Sequence, residues 1–335
     1  MRSLRVYLTS CEVGEGAWRA NEEILGRLYE ISDKRHQLVD CPELADLILI
    51  GNVREENWGE KILANQLIRR WPSKCFSLSD ADQPLYLNRG VYASATCGVA
   101  GWRRVRSGCY ALYADQYRNP FIENYFYADT SAIEKRWLFS FLGRESSRVR
   151  SRLFGLKFNR SDILVVNTTT FNLWDESRNL DKREAQRRYY DDLLASKFSL
   201  CPRGSGASSL RLFESIRMGI APVILSDRWA YPVGPIWKDF SISVKEKHFG
   251  EIESIVGEYE KDFEEMGKLS RRAFDHYFSD EVYFNYVVDS CVEIGARQVV
   301  PEVIYQRAGP GILIGIKTIS RLKKCLRQTL KGKSL

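Results

Sequence analysis

The chain reads Ser196-Lys-Phe-Ser-Leu-Cys-Pro-Arg-Gly-Ser-Gly-Ala-Ser-Ser-Leu-Arg-Leu-Phe-Glu214 at the point that decides its fold. The apolar run 198–201 predicts a short buried strand, residues 204–209 a flexible polar turn, and Leu210 the start of a helix. This arrangement is a common phosphate-binding device, because backbone N–H groups and the positive end of the helix dipole face the anion. Arg203 and Arg211 add positive charge, so the turn is predicted to bind a phosphorylated ligand.

The segment that follows predicts a second strand of the same sheet. Ala221-Pro-Val-Ile-Leu-Ser-Asp227 is a buried apolar run that ends in polar residues. Two strands with polar turns at their carboxyl ends indicate a ligand crevice at the edge of a parallel sheet. Strands alternate with helices along the rest of the chain, which favours the α/β class. The further strands are predicted at 4–9, 46–50, 137–141 and 162–166, and the helices at 19–31, 61–70, 147–156, 182–195, 250–278 and 280–294.

Length and composition favour two domains and argue against a metal or disulfide framework. A chain of 335 residues with 44% hydrophobic content suits two packed domains. The region 78–127, rich in Tyr, Gly and Arg, is predicted to be irregular, and the domain boundary is placed near 128–133. Eight scattered cysteines and three distant histidines show no metal-ligand spacing, so the thiols are predicted to be reduced in the cytosol. The predicted units are 1–132, 133–305 and a tail, 306–335.

The net charge of +7 comes from the tail. The segment 317–333 has seven basic residues and no acid, which leaves 43 basic and 43 acidic residues elsewhere. Apolar residues recur there every three or four positions: Ile316, Ile319, Leu322, Leu326 and Leu330. This pattern fits a helix that lies on an anionic membrane surface through 312–333, and it fits equally a helix that packs on its own domain. Nucleic acid is not expected, since the body is neutral and shows no recognised nucleic-acid-binding motif.

The amino terminus and the hydropathy of the chain predict neither a secretion signal nor a membrane span. Residues 1–10 have an apolar run too short for a signal peptide and are followed at once by Glu12 and Glu15. Nowhere do 18 uncharged apolar residues occur in a row. The predicted location is therefore cytoplasmic, with peripheral attachment to the inner membrane face through the tail.

Several polar residues near the predicted crevice have a structural and a functional interpretation. Arg144 and Arg203 follow neighbouring strands and either form surface ion pairs or grip a diphosphate with their planar guanidinium groups. Ser208 and Ser209 serve as helix caps, as phosphate contacts or as both. Glu214, one turn into the helix, is either a solvated helix residue or a hydrogen-bond acceptor for ribose hydroxyls.

The ordered blocks resemble those of exostosin-type glycosyltransferases. The family pattern is similar to 196–204, 208–214 and 221–227, and Leu138-Phe-Ser-Phe-Leu-Gly-Arg144 resembles the strand that opens its donor half. The resemblance covers 133–250 and implies a GT-B architecture, in which two Rossmann-like domains face a central cleft. It implies an inverting, metal-independent transfer of a sugar from a nucleoside diphosphate donor, usually UDP-linked, to a glycan hydroxyl. By position, the implied donor-binding residues are Arg144, Arg203, Gly204, Ser208, Ser209, Arg211, Glu214 and Asp227.

The resemblance does not identify the catalytic residues on the acceptor side of the cleft. An inverting transfer requires a general base for the acceptor hydroxyl. The candidates are Glu12 and Glu15, in the turn after the first strand, and Asp115. The aromatic residues Tyr86, Tyr92, Trp102, Tyr110 and Tyr113 are candidates for stacking on acceptor sugars. The implied partners are the nucleotide sugar and a glycan or lipid-linked glycan acceptor in surface polysaccharide synthesis, without a cofactor. The alternative is a non-catalytic protein of the same fold that binds glycan or nucleotide.

Overall fold

The computed structural model of the protein describes residues 2–11, 20–51, 58–100, 103–112, 118–125, 133–170 and 179–331. Within these ranges the strands are β1 Arg5–Ser10, β2 Gln37–Leu38, β3 Leu47–Gly51, β4 Cys75–Ser79, β5 Gly90–Tyr92, β6 Val105–Ser107, β7 Trp137–Gly143, β8 Ile163–Asn167, β9 Ser196–Pro202, β10 Ala221–Leu225 and β11 Ile242–Ser243. The helices are α1 Ala20–Ile31, α2 Trp58–Ala64, α3 Gln66–Arg70, α4 Cys97–Ala100, α5 Pro120–Glu123, α6 Arg148–Phe154, α7 Asn179–Leu194, α8 Leu210–Arg217, α9 Ile252–Glu258, α10 Phe263–Tyr277, α11 Asp280–Arg297 and α12 Glu302–Lys331.

The first sheet has six strands in the order β2-β1-β3-β4-β5-β6, with every neighbouring pair parallel. Its central strand β3 is buried along its whole length, as an apolar run without polar alternation predicts. The prediction of an irregular region over 78–127 was wrong in part, because β5 and β6 add two buried strands there. Each has only three residues, too few to show a period of two. A side chain at Gly90 would overlap the backbone of Ser77, so the sheet requires glycine in β5.

The second sheet has five parallel strands in the order β11-β10-β9-β7-β8. Its core is formed by aromatic and aliphatic residues that include Phe139, Phe198 and Val223, all fully buried. Pro202 at the end of β9 pairs with Leu225 at the end of β10. The turns that follow these strands therefore lie at the same edge of the sheet, as the sequence predicts. The two parallel α/β domains of the GT-B prediction are confirmed by this topology.

The two helices that end the chain pack on the first sheet rather than the second. In α11, the Tyr283 hydroxyl donates to the Cys109 carbonyl and accepts from the Cys109 N–H at 2.9 Å. In α12, Leu313 is buried in the core of the first domain, with Ile62 and Tyr92 in the same cluster. The first half of the predicted tail thus docks on the body, and α12 begins at Glu302, before the predicted tail boundary. The boundary between the two sheet domains falls outside the described residues and stays a prediction.

Candidate active site

Two serines at the start of α8 lack the side-chain hydrogen bonds that usually cap a helix, as far as the described residues show. Ser209 occupies the N-cap position, but its side chain makes no capping hydrogen bond. The Ser208 hydroxyl is buried, the residue being 4% exposed, and no described group hydrogen-bonds to it. A buried hydroxyl without a hydrogen bond costs free energy, so Ser208 marks this helix N-terminus as a candidate binding site for an anion.

Arg211 lies in the first turn of α8 and is fixed by its surroundings. Its Nη2 donates to the carbonyl of Leu142, and its guanidinium carbon lies 4.7 Å from the ring centre of Phe141 and 5.1 Å from that of Tyr189. Its Nε is buried and has no hydrogen-bond partner among the described residues. Arg211 therefore has a fixed orientation and keeps one directed donor available for a ligand.

Arg150 is a second guanidinium at the same place, and it was not among the residues predicted from the sequence. It lies in α6, donates to the carbonyl of Pro202 at 3.2 and 3.3 Å, and has its guanidinium carbon 5.4 Å from the centre of the Phe141 ring. Burial, together with the positive charge of Arg211, lowers the pKa of Arg150 to about 9. Within the described ranges, neither guanidinium forms an ion pair with a carboxylate. The cluster of Arg150, Arg211 and Ser208 is called the anion cluster below.

Arg203 differs from these two arginines, because a carboxylate already neutralises it. Its Nε lies 2.7 Å from Glu246 Oε1, and its Nη2 lies 3.4 Å from Oε2. Asp227 Oδ1 accepts the backbone N–H of Glu246 at 3.0 Å and so holds this carboxylate in place. Both predicted donor-binding residues therefore take part in a structural network at the ends of β9 and β10. Their diphosphate and donor contacts stay predictions, and a phosphate at Arg203 would compete with Glu246.

Arg144 and Gly204 lie beside the anion cluster. The Arg144 side chain is exposed, while its backbone carbonyl accepts from Arg150 Nη1 at 3.3 Å. A methyl group added at Gly204 would lie 3.4 Å from Arg150 Nη2 and from the Ser146 hydroxyl. The turn after β9 is thus packed closely enough to set the position of Arg150. Direct contacts of Arg144 and Gly204 with a donor stay predictions.

Glu214 lies one turn below the anion cluster. Its Oε2 accepts the Tyr189 hydroxyl at 2.9 Å. Burial raises the pKa of this carboxyl group, although Arg211 and the Tyr189 hydrogen bond act in the opposite direction. A half-buried carboxylate near the carboxyl edge of a parallel sheet suits recognition of a hydroxyl-rich ligand group, and the predicted ribose contact stays a prediction.

We expect Glu214→Gln to raise the melting temperature at neutral pH. A folded-state pKa above the unfolded value means that the ionised carboxylate lowers stability at neutral pH, and the neutral amide removes this cost. The gain should vanish as the pH falls below about 4, where both states of the wild type become protonated. Thermal unfolding at both pH values checks this, with exposed Glu258→Gln as the matched control. A variant less stable than wild type at neutral pH contradicts it.

The predicted base and stacking residues have mixed outcomes. Glu12, Glu15 and Asp115 lie outside the described residues, as do Trp102 and Tyr113. Tyr92 is wrong as a sugar-stacking candidate, because it is fully buried and its hydroxyl donates to the Asn88 carbonyl at 2.6 Å. Tyr86 and Tyr110 are half-buried at the edge of the first domain and stay candidates.

Comparison with known proteins confirms the resemblance drawn from the sequence. Residues 120–259 match the Exostosin GT47 domain. The Exostosin-1 homolog of Caenorhabditis elegans is 32% identical over 158 residues, which cover 43% of this chain and 41% of that protein. The probable beta-1,4-xylosyltransferase IRX10 of Arabidopsis thaliana is 34% identical over 70 residues, or 20% of this chain and 17% of that protein. The chain therefore aligns with less than half the length of these relatives.

The similarity to a solved structure is low. WaaG, a glycosyltransferase involved in lipopolysaccharide biosynthesis, superposes over 85% of this chain and 98% of its own, with 11% identity and a TM-score of 0.37. The two-domain description of the fold given above rests on the sheet topology of this chain and not on that superposition.

Proposed function

From the exostosin GT47 domain at residues 120–259, we propose that the chain is a glycosyltransferase that uses a nucleoside diphosphate sugar. The observation that carries this proposal is the anion cluster: two guanidinium groups lie over the Phe141 ring, and the buried Ser208 hydroxyl lies just before the start of α8. Among the described residues, these guanidinium groups have no carboxylate partner and the hydroxyl has no hydrogen-bond partner. The cluster lies at the N-terminus of α8, where the helix dipole also favours negative charge. A diphosphate supplies both the charge and the acceptor oxygens that these groups require.

The proposed chemistry is a single displacement with inversion at the anomeric carbon. The acceptor hydroxyl oxygen forms a bond to this carbon as the bond to the diphosphate oxygen breaks, and the electron pair leaves with the diphosphate. Negative charge therefore increases on the phosphate oxygens in the transition state. Fixed guanidinium groups and helix N–H groups stabilise that charge without reorganisation. On this basis we propose that the reaction proceeds without a metal. The proposal that UDP is the nucleotide rests on the family resemblance alone.

A donor panel tests the proposed activity. Purified protein is incubated with UDP-, GDP- and dTDP-sugars and oligosaccharide acceptors, with and without EDTA, while nucleotide release and product mass are measured. Transfer from one donor that persists in EDTA is the expected result. Nucleotide binding without turnover would favour the alternative of a non-catalytic binding protein. Absence of both thermal stabilisation and turnover with every nucleotide would overturn the enzyme proposal.

The proposed acceptor is a glycan in polysaccharide synthesis. Support comes from the aligned relatives, since one is a probable xylosyltransferase by name. A free glycan and a lipid-linked glycan present the same hydroxyl chemistry, and both belong in the acceptor panel. Their comparison also tests whether the enzyme acts at a membrane.

We propose further that α12 attaches the protein to the cytoplasmic side of a membrane. No helix in the described ranges has the length and apolar character to cross a bilayer. Leu313 docks α12 on the body, whereas Ile312, Ile319 and Leu322 are 45%, 54% and 58% exposed. The sequence of the same segment, 317–333, contains seven basic residues. A helix with one docked side and one exposed apolar side next to basic residues is suited to an anionic lipid surface.

Deletion of residues 317–335 should release the protein from anionic vesicles and leave turnover on soluble acceptors unchanged. Each basic residue near such a surface contributes about 1 kcal/mol, so losing the basic segment removes most of the attraction. Co-sedimentation with phosphatidylglycerol-containing vesicles, compared with pure phosphatidylcholine, measures the effect at low and high salt. Equal binding of the full-length and truncated proteins to anionic vesicles contradicts the proposed attachment.

A further inference from the structure

The loop 203–209, called the donor loop below, contacts an acidic residue of the first domain, Asp82. A methyl group added at Gly206 would lie 2.8 Å from the Asp82 carbonyl oxygen and 3.0 Å from Asp82 Oδ1, and closer still to the Ser94 hydroxyl. Asp82 follows β4 of the first sheet, at the carboxyl end where ligand-binding residues of such sheets occur. Its side chain is exposed. This contact brings a carboxylate of the opposite domain to the loop that leads into the anion cluster.

The contacts around Asp82 hold it at this position. The Tyr110 hydroxyl lies 3.4 Å from Asp82 Oδ1 and 2.9 Å from the Ser94 hydroxyl. The ring of Tyr110 packs edge-on against Phe213 of α8, with 6.2 Å between ring centres. Tyr110 therefore connects the Asp82 carboxylate to the helix that starts at the anion cluster. A shift of one domain relative to the other would break this connection.

Electrostatic coupling places the Asp82 charge near the anion cluster. The negative charge of Asp82 raises the pKa of Arg150, against the larger effect of burial. The neighbouring acid Asp80 is a poorer candidate for contact with a ligand. It is 3% exposed, and its Oδ2 already accepts the Leu112 N–H at 2.6 Å. Of these two carboxylates at the end of β4, only Asp82 combines exposure with contact to the donor loop.

We infer that Asp82 is the general base of the transfer, an inference that rests on the proposed function. The Asp82 carboxylate accepts the proton of the acceptor hydroxyl as the hydroxyl oxygen bonds to the anomeric carbon. The bond between that carbon and the diphosphate breaks, and the diphosphate leaves with the electron pair at the anion cluster. One proton moves to Asp82 and is released to solvent after the product leaves, so the atoms and charges balance. The base therefore comes from one domain and the leaving-group site from the other.

Kinetics of Asp82→Asn test this assignment. Loss of a general base lowers kcat by about 10²–10⁴-fold, whereas the affinity for the nucleoside diphosphate should stay within about twofold of wild type. The pH profile of kcat should lose its acidic limb. Azide should restore donor turnover and give a glycosyl azide, because this anion attacks the anomeric carbon without losing a proton. A residue that only supports the fold would not show azide rescue.

Matched variants distinguish the assignment from its rivals. Glu12→Gln, Glu15→Gln and Asp115→Asn remove the other candidate bases, and Asp40→Asn removes an exposed acid of the first domain away from the cleft. Asp82→Ser provides a second substitution in case the amide disturbs the loop. Wild-type transfer with undiminished kcat in both Asp82 variants overturns the inference and leaves the proposed function intact. A wild type that transfers no sugar overturns the proposed function, and the assignment of Asp82 with it.

Discussion

Replacing Arg211 by Gln is expected to lower kcat/KM for the sugar donor by about 10²–10³-fold, the loss usually seen when one fixed donor to a developing oxyanion is removed. The Arg211 guanidinium is oriented by the Leu142 carbonyl and the Phe141 ring, and its Nε has no hydrogen-bond partner among the described residues. A glutamine retains neither the charge nor this reach. Arg150→Gln should show a loss of the same order, because Arg150 lies over the same ring and also has no described ion-pair partner. Initial rates at varied donor concentration measure both losses.

Arg203→Gln provides the matched control for these variants. Arg203 directly follows β9, but Glu246 at 2.7 Å neutralises its charge. Its removal should therefore cost less than about tenfold in kcat/KM, with a larger effect on stability than on the chemical step, because a half-buried carboxylate loses its partner. If Arg203→Gln impairs donor use as strongly as Arg211→Gln, the distinction between the anion cluster and the Arg203 network is wrong.

Replacing Glu302 by Gln is expected to lower the free energy of unfolding by about 3–5 kcal/mol, since it leaves a buried arginine without its counter-charge. Glu302 at the start of α12 pairs with Arg104, where the Nε–Oε2 distance is 3.1 Å, and the two side chains are 1% and 3% exposed. The Arg104 guanidinium carbon also lies 3.8 Å from the centre of the Tyr305 ring. This pair fastens α12 to the first domain. Urea-induced unfolding measures the change, provided that the transition stays cooperative.

A second ion pair of α12 serves as the control. Lys317 pairs with Glu60, and both side chains are nearly half exposed. Glu60→Gln should change the free energy of unfolding by less than about 1 kcal/mol, because water screens an exposed pair. The double variant Arg104→Met/Glu302→Leu should recover much of the loss, as apolar replacements often do for buried pairs. Equal effects of Glu302→Gln and Glu60→Gln would show that the Glu302 pair contributes no more than a surface contact.

The parts of the fold that depend on local sequence were predictable. The strand, turn and helix over 196–217 follow from a short apolar run, a Gly- and Ser-rich turn and a helix start, all within about 20 residues of one another. Two predictions were wrong or incomplete, because the sequence patterns that mark these elements are too short. The strands β5 and β6 have three residues each, and the predicted helix over 61–70 is two helices, with Asn65 as the cap of the second.

The residues of the candidate site that were not predicted are placed by contacts between segments that lie far apart in the sequence. Arg150 reaches the anion cluster because α6 returns to the end of β9, and its hydrogen bonds to Pro202 span 52 residues. Asp82 meets Gly206 across the domain junction, more than 100 residues away along the chain. Ser147, as the N-cap of α6, was a local signal that α6 begins at this edge and places Arg150 in its first turn. Asp82 was not predicted, because its contact with Gly206 depends on the other domain.

A crystal structure of the protein with its nucleoside diphosphate tests the central claim most directly. We expect phosphate oxygens at about 2.7–3.2 Å from the Ser208 hydroxyl and from Arg211 Nε, two buried groups of the anion cluster that have no hydrogen-bond partner among the described residues. We also expect Arg150 to contact the same diphosphate. A nucleotide bound elsewhere, or one at this edge whose phosphates leave Ser208 and Arg211 without contact, would contradict the proposal that the anion cluster is the leaving-group site of a sugar transfer.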